Sequence, residues 1–141
     1  MERIDVLVKL LITSFGGFWG YFVGGFDMFF NALLTLSVID YSTGVIAAWC
    51  TGTLKSKVGF KGIAKKVVLF LLVATATQAD AIMGTNSAIR EATIFFLVGN
   101  ELLSILENAG RMGIPLPAAL TNAVEVLKNQ SNKKYTKGEG Q

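Results

Sequence analysis

The stretch TGTLKSKVGFKGIAKK, residues 51–66, carries Lys55, Lys57, Lys61, Lys65 and Lys66 and no acidic residue, and it lies between two long apolar runs. Short Lys/Arg-rich segments that border membrane spans stay in the cytoplasm, so reading these residues as an inner loop orients the rest of the chain. Working outward, the sequence holds apolar stretches at 10–26, 28–49, 67–83 and 89–106. Each is about long enough to cross the ~30 Å hydrocarbon core as a helix rising ~1.5 Å per residue. With four crossings and residues 51–66 inside, Arg90 is the one basic residue of 13 that falls on the outer side. Arg3 and Lys9 before the first stretch are inside, as are Arg111, Lys128, Lys133, Lys134 and Lys137 after the last. The outer connections are then a tight turn around Asp27 and residues 84–91.

Composition supports that class. A chain 52% hydrophobic and 16% charged can fold around a large soluble core, but here the apolar residues form long runs rather than periodic stripes, which favours one small helical membrane domain. The mixed-charge start MERIDVLVK, leading into Gly and aromatic residues, is unlike a cleavable signal peptide, so the first stretch is expected to be retained. The basic residues sit beside spans, which points to anionic lipid headgroups and away from nucleic acid despite a pI near 9.1. The chain has no His and a single Cys, Cys50. No acidic cluster replaces the missing His, and no phosphate-cradling loop or nucleophile elbow is present. These features argue against an enzyme, a metal site and a bound cofactor.

The informative residues are the small and polar ones inside the spans. Gly16, Gly20 and Gly24 recur every four residues on one helix face and are expected to admit another backbone closely. Trp19 and Tyr21 near the outer end, and Trp49 near the inner end, suit interfacial anchors. Asp40 lies ~13 Å by helical rise from Trp49, so its carboxylate must face protein or water, or take up a proton. Ser37, Asp40 and Gly44 share a face, flanked by Thr43. Asn100, Glu101, Ser104, Glu107 and Asn108 form a second polar stripe at helical spacing. Either the stripes meet as a hydrogen-bonded network within one subunit, or they line water between subunits. Asp80 and Arg90 flank the outer turn and could pair there, a mainly structural contact.

The fourth stretch is the weakest span. Its continuous apolar core, Ile94 to Val98, is short, and Arg90, Glu91 and Glu101 allow a three-span alternative in which it lies in the interface. That alternative strands one basic terminus outside, so four spans over residues 1–114, with both termini cytoplasmic, is the reading adopted. Pro115 and Pro117 open a short amphipathic cytoplasmic helix over 115–130, with Leu116, Leu120, Val124 and Leu127 on one side. Residues 131–141 read as a disordered basic tail.

Three runs carry a resemblance: LSVIDYSTGVIAAW (36–49), LKSKVGFKGIAKKV (54–67) and FFLVGNELLSILENAGRMGIPLP (95–117). In this order and spacing the chain closely resembles the bacteriophage holins grouped with clostridial toxin-secretion holins, over about residues 15–128. The resemblance implies a protein that accumulates in the bacterial cytoplasmic membrane and forms homo-oligomers. At a set time these open lesions through which an endolysin, or a toxin lacking a signal peptide, passes without a stable complex. Matching positions are Asp40, Tyr41, Thr43 and Gly44; Lys57, Gly59, Phe60, Lys61 and Gly62; and Asn100, Glu101, Leu106, Glu107 and Asn108. Family members often carry a His shortly before the acid that ends the third span, where this chain has Gln78. A selective ion channel or export subunit, or a membrane adaptor that does not permeabilise, are the competing classes.

Overall fold

A computed structural model of the chain describes residues 1–123 and 126. Among these residues the structure is all helical, with α1 Glu2–Val23, α2 Met28–Cys50, α3 Ser56–Met83 and α4 Ala88–Arg111. Two of the four, α1 and α2, are long and apolar enough to cross a membrane by length and composition. α3 spends its first three turns in the lysine-rich segment, and α4 carries Arg90, Glu91, Glu101, Glu107 and Arg111. The described part of the predicted amphipathic helix is helical over 118–123. Residues 115–117 precede it without helical structure, so the helix begins at 118 rather than 115, while 124, 125 and 127–130 lie outside the described residues, as does the predicted tail.

Helix boundaries differ from the apolar runs in an instructive way. α1 begins at Glu2 rather than at residue 10, because Glu2 and Asp5 sit in its first turn, where acids complement exposed N–H groups. The lysine-rich segment is mostly helix and not loop: only residues 51–55 lie between α2 and α3. Lys57, Lys61, Lys65 and Lys66 therefore hold fixed angular positions on α3.

The α1–α2 turn is written by local chemistry. Gly24 adopts the left-handed conformation at φ 79°, and the Gly25 N–H donates to the Gly20 carbonyl at 2.8 Å, a glycine-terminated helix end. Asp27 then caps α2, its carboxylate accepting from the Phe30 N–H at 2.9 Å. At the α3–α4 turn Ser87 is itself left-handed, at φ 67°, and makes no side-chain cap. Asp80 supplies that cap from the preceding helix, accepting from the N–H groups of Ile89 at 2.9 Å and Arg90 at 2.7 Å.

α4 is the centre of the bundle. Its most extensive contact is with α2 and the next with α3; α1 rests on α3. The core comprises Val23 from α1, Phe30 and Leu33 from α2, Leu69, Val73 and Ala74 from α3, and Ile94 and Leu97 from α4. Trp19 packs partly against it, while Tyr21 and Trp49 are exposed. The outside too carries large apolar side chains: Ile4, Leu7, Leu11, Phe15 and Phe18 on α1, and Phe95 and Phe96 on α4, are all exposed. Large contiguous apolar surface of this kind requires lipid or another protein to cover it.

Candidate functional site

Against that apolar exterior, the buried polar groups other than Ser37 gather in two clusters along α4, one at its first turn and one from its middle toward its last turn, called outer and inner after the expected orientation. The inner cluster joins three helices. The Lys66 ammonium on α3 donates to Asp40 Oδ2 on α2 and to Glu101 Oε2 on α4. All three side chains are largely withdrawn, with 18%, 14% and 3% exposure for Lys66, Asp40 and Glu101. Asn108 completes the network from two turns further along α4, where its amide nitrogen donates to Asp40 Oδ1 at 3.0 Å, Thr43 Oγ1 at 3.0 Å and the Asp40 carbonyl at 3.2 Å. Thr43 in turn donates to the Asp40 carbonyl at 3.0 Å. Gly44 faces this network: a Cβ there would lie in contact with the Asn108 amide nitrogen, at 3.4 Å.

The polar stripes of α2 and α4 thus meet inside one subunit, the first of the two arrangements the sequence left open. Lys66 departs from expectation. It does not join Lys55, Lys57, Lys61 and Lys65, which are exposed, but turns inward as the shared counter-ion of two carboxylates. A sequence signal for this existed. Lys66, Leu69, Val73, Ala76 and Asp80 fall at helical spacing, and the last four are buried, so Lys66 lies on the core-facing stripe of α3 and Lys65 does not. Tyr41 seats on the same helix, where Cβ atoms at Gly62 and Gly59 would lie 3.1 Å from its ring and 3.6 Å from its hydroxyl.

The outer cluster is centred on Arg90, whose side chain is 3% exposed. Its guanidinium does not pair with Asp80 as the sequence suggested. It reaches Asp27, with Nη1 at 2.7 Å from Oδ2 and Nη2 at 3.3 Å from Oδ1, and donates to the carbonyls of Val23 and Gly25. The Val23 carbonyl is an orphan acceptor at the end of α1 and Gly25 lies just beyond it, so one side chain joins the end of α1, the cap of α2 and the start of α4. Asp80 is occupied with backbone N–H groups and the Thr85 hydroxyl. The adjacent guanidinium holds the Asp27 carboxyl below its ordinary value of 3.8.

The remaining candidates are scattered. Asn100 is exposed, Ser104 half-buried and Glu107 exposed. Gly16 meets nothing within 4 Å, Gly20 approaches only the Phe26 ring at 3.0 Å, and Gly24 lies against Arg90 Nε and Thr77. The glycine series is therefore not a helix-packing face within the subunit. Ser37, sharing the Asp40 face, is buried with its hydroxyl unpartnered among the described residues. Among those residues no group of three His, Cys, Asp or Glu side chains is placed to hold a metal.

Apolar helices with a largely apolar exterior, a lysine-rich end and mid-helix charges paired with one another define a small helical membrane protein. The chain belongs to the bacteriophage holin family, whose model matches residues 17–129. A protein of Listeria monocytogenes without an assigned role is 43% identical over 130 residues, 92% of this chain and 93% of that one. A probable holin of Bacillus phage phi105 is 36% identical over 109 residues, 77% of this chain and 81% of the relative. A Clostridium perfringens protein without an assigned role is 32% identical over 131 residues, 92% and 99% of the two chains. No solved structure matches. Family membership implies a membrane protein without enzymatic activity.

Proposed function

We propose that this chain is a holin that accumulates in the bacterial cytoplasmic membrane, self-associates, and at a critical density opens lesions for an endolysin or a toxin lacking a signal peptide. The observation that carries this reading is the closure of Lys66, Asp40, Glu101 and Asn108 within one subunit. A carboxylate held in hydrocarbon without partners costs at least ~2.5 kcal/mol, so a subunit that satisfies its own charges can accumulate without leakage. Rearrangement into an assembly in which the same groups face water exchanges internal partners for hydration. Once some subunits admit water, their neighbours open more readily, which gives an abrupt transition.

In this reading α3 and α4 cross the membrane as α1 and α2 do, and both termini are cytoplasmic. Lys55, Lys57, Lys61 and Lys65 contact anionic headgroups, each contributing on the order of 1 kcal/mol. Cys50, the sole cysteine and exposed, reports the topology: a membrane-impermeant maleimide should label it in inverted vesicles and not in intact cells. Timed induction in a bacterium, following membrane potential and turbidity with and without a signal-less muralytic enzyme, tests the function. Abrupt depolarisation, with lysis only when the enzyme is present, is the expected result. Depolarisation without enzyme release would replace the holin with a narrow channel, and growth at normal potential despite accumulation would replace it with an adaptor. Asp40→Ala should shift the time of depolarisation; unchanged timing removes the polar switch.

A further inference from the structure

Asn100 is the anomaly of α4. Its neighbour Glu101 turns inward to Lys66, yet Asn100 is exposed, and its side chain makes no hydrogen bond among the described residues. By helical rise it lies ~18 Å from Ala88 and ~16 Å from Arg111, the middle of the helix. If α4 crosses the membrane, as proposed above, this amide lies near the centre of the hydrocarbon with two donor hydrogens and an acceptor oxygen unsatisfied. Such a group requires a partner there.

We infer that the α4 face carrying Phe96, Gly99 and Asn100 docks a second copy of this chain, with the two Asn100 amides hydrogen-bonding across the interface. Three observations select that occupant. A carboxamide both donates and accepts, so it complements its own copy across a two-fold axis, where the same patch meets itself. Gly99, beside it, is exposed, and a Cβ added there meets nothing within 4 Å, leaving a flat place for close helix approach. Phe96, one turn away, is 74% exposed and supplies apolar area to cover. Depth narrows the choice of polar partner. Gln78 on α3 is also exposed and without a hydrogen bond, but it lies only ~8 Å from the outer end of its helix against ~18 Å for Asn100. Copies related by an axis along the membrane normal hold each residue at constant depth, so Asn100 meets Asn100.

The test uses the full chain in isolated membranes taken before depolarisation, with Cys50→Ala and one new cysteine, Phe96→Cys or Gly99→Cys, treated with a short bis-maleimide. Both positions should yield covalent dimers, whereas Leu72→Cys, 48% exposed on α3, should not. Adding Asn100→Leu should lower the dimer yield about tenfold, the equilibrium change one interhelical hydrogen bond supports, and Asn100→Gln should retain it. Absence of dimers at both α4 positions, or a yield insensitive to Asn100→Leu, overturns the interface. So does rapid reaction of Gly99→Cys with an impermeant maleimide in polarised cells, which would place water, or the outside of the membrane, against this face. Lysis is scored separately: dimers at this face without enzyme release overturn the holin reading and leave the interface standing.

Discussion

The inner and outer clusters lie along one helix, and each sets a cation withdrawn from solvent against carboxylate, but they are assembled from different materials. Arg90 binds chain ends. Two of its acceptors are backbone carbonyls at the terminus of α1, and its carboxylate partner, Asp27, keeps 44% exposure. Lys66 binds only side chains from the interiors of α2 and α4, both withdrawn from solvent. The outer arrangement finishes helices that end there in any case, and water can replace part of it. The inner one joins helices in mid-course, where no backbone group is free and nothing replaces a missing partner. A guanidinium, with five donors in a planar fork, suits several carbonyls at once; a compact ammonium suits two convergent carboxylates. This contrast is why the inner cluster, and not the outer, is assigned the opening transition.

The substitution with the largest expected effect breaks the inner cluster. Lys66→Met leaves Asp40 and Glu101 withdrawn and facing each other without a cation, a loss of about 3–5 kcal/mol. Unfolding in detergent should show it directly, and induced cells should depolarise early or fail to accumulate the protein. Adding Asp40→Asn and Glu101→Gln should recover most of the loss, since neutral partners remove the repulsion.

Arg90→Gln tests the outer cluster and should cost less, about 1.5–3 kcal/mol, because the partly exposed Asp27 can turn to water. If it destabilises as much as Lys66→Met in the same detergent titration, the proposed asymmetry is wrong. Gly24→Ala sharpens the same point through the backbone. It forces a side chain into the left-handed region at a cost of about 1–2 kcal/mol and would set Cβ 2.7 Å from Arg90 Nε. Its effect should shrink when measured in the Arg90→Gln background, as the two share a contact.

The smallest effect is a pH dependence. Asp27 is held below its ordinary value of 3.8 chiefly by the Arg90 hydrogen bond, so the stability it contributes is fully present above 3.8 and is lost as pH falls through the lower folded value. Acid titration of unfolding should show a modest decline there that Arg90→Gln abolishes. A decline of equal size in that variant would assign the effect to another group.

Much of this was legible from particular residues. The turn around Asp27 and the connection at 84–91 were legible because they interrupt the apolar runs, whereas Gly24, expected on a helix-packing face, is instead the left-handed end of α1. Asp40 and the Asn100–Asn108 stripe stood out because polar groups inside apolar runs are costly. Lys66 was misplaced because it follows Lys65 in a basic run, and reading that run as loop discards the angular position that a helix imposes. Arg90 was paired with Asp80, ten residues away, when its guanidinium had a partner at Asp27, 63 residues away.

By itself the sequence determined the four long helices and the class of protein, though not where α1 and α3 begin. Each of these depends on composition or on spacing within one segment, and the family motifs are local as well. The tertiary structure alone decided which groups meet: Lys66 with Asp40 and Glu101, Asn108 with Thr43, Arg90 with the end of α1. Those pairings depend on how each helix is rotated and which neighbour it packs against. With apolar residues on nearly every face, the periodicity that orients a soluble helix is weak, and packing around α4 settles the rotation instead.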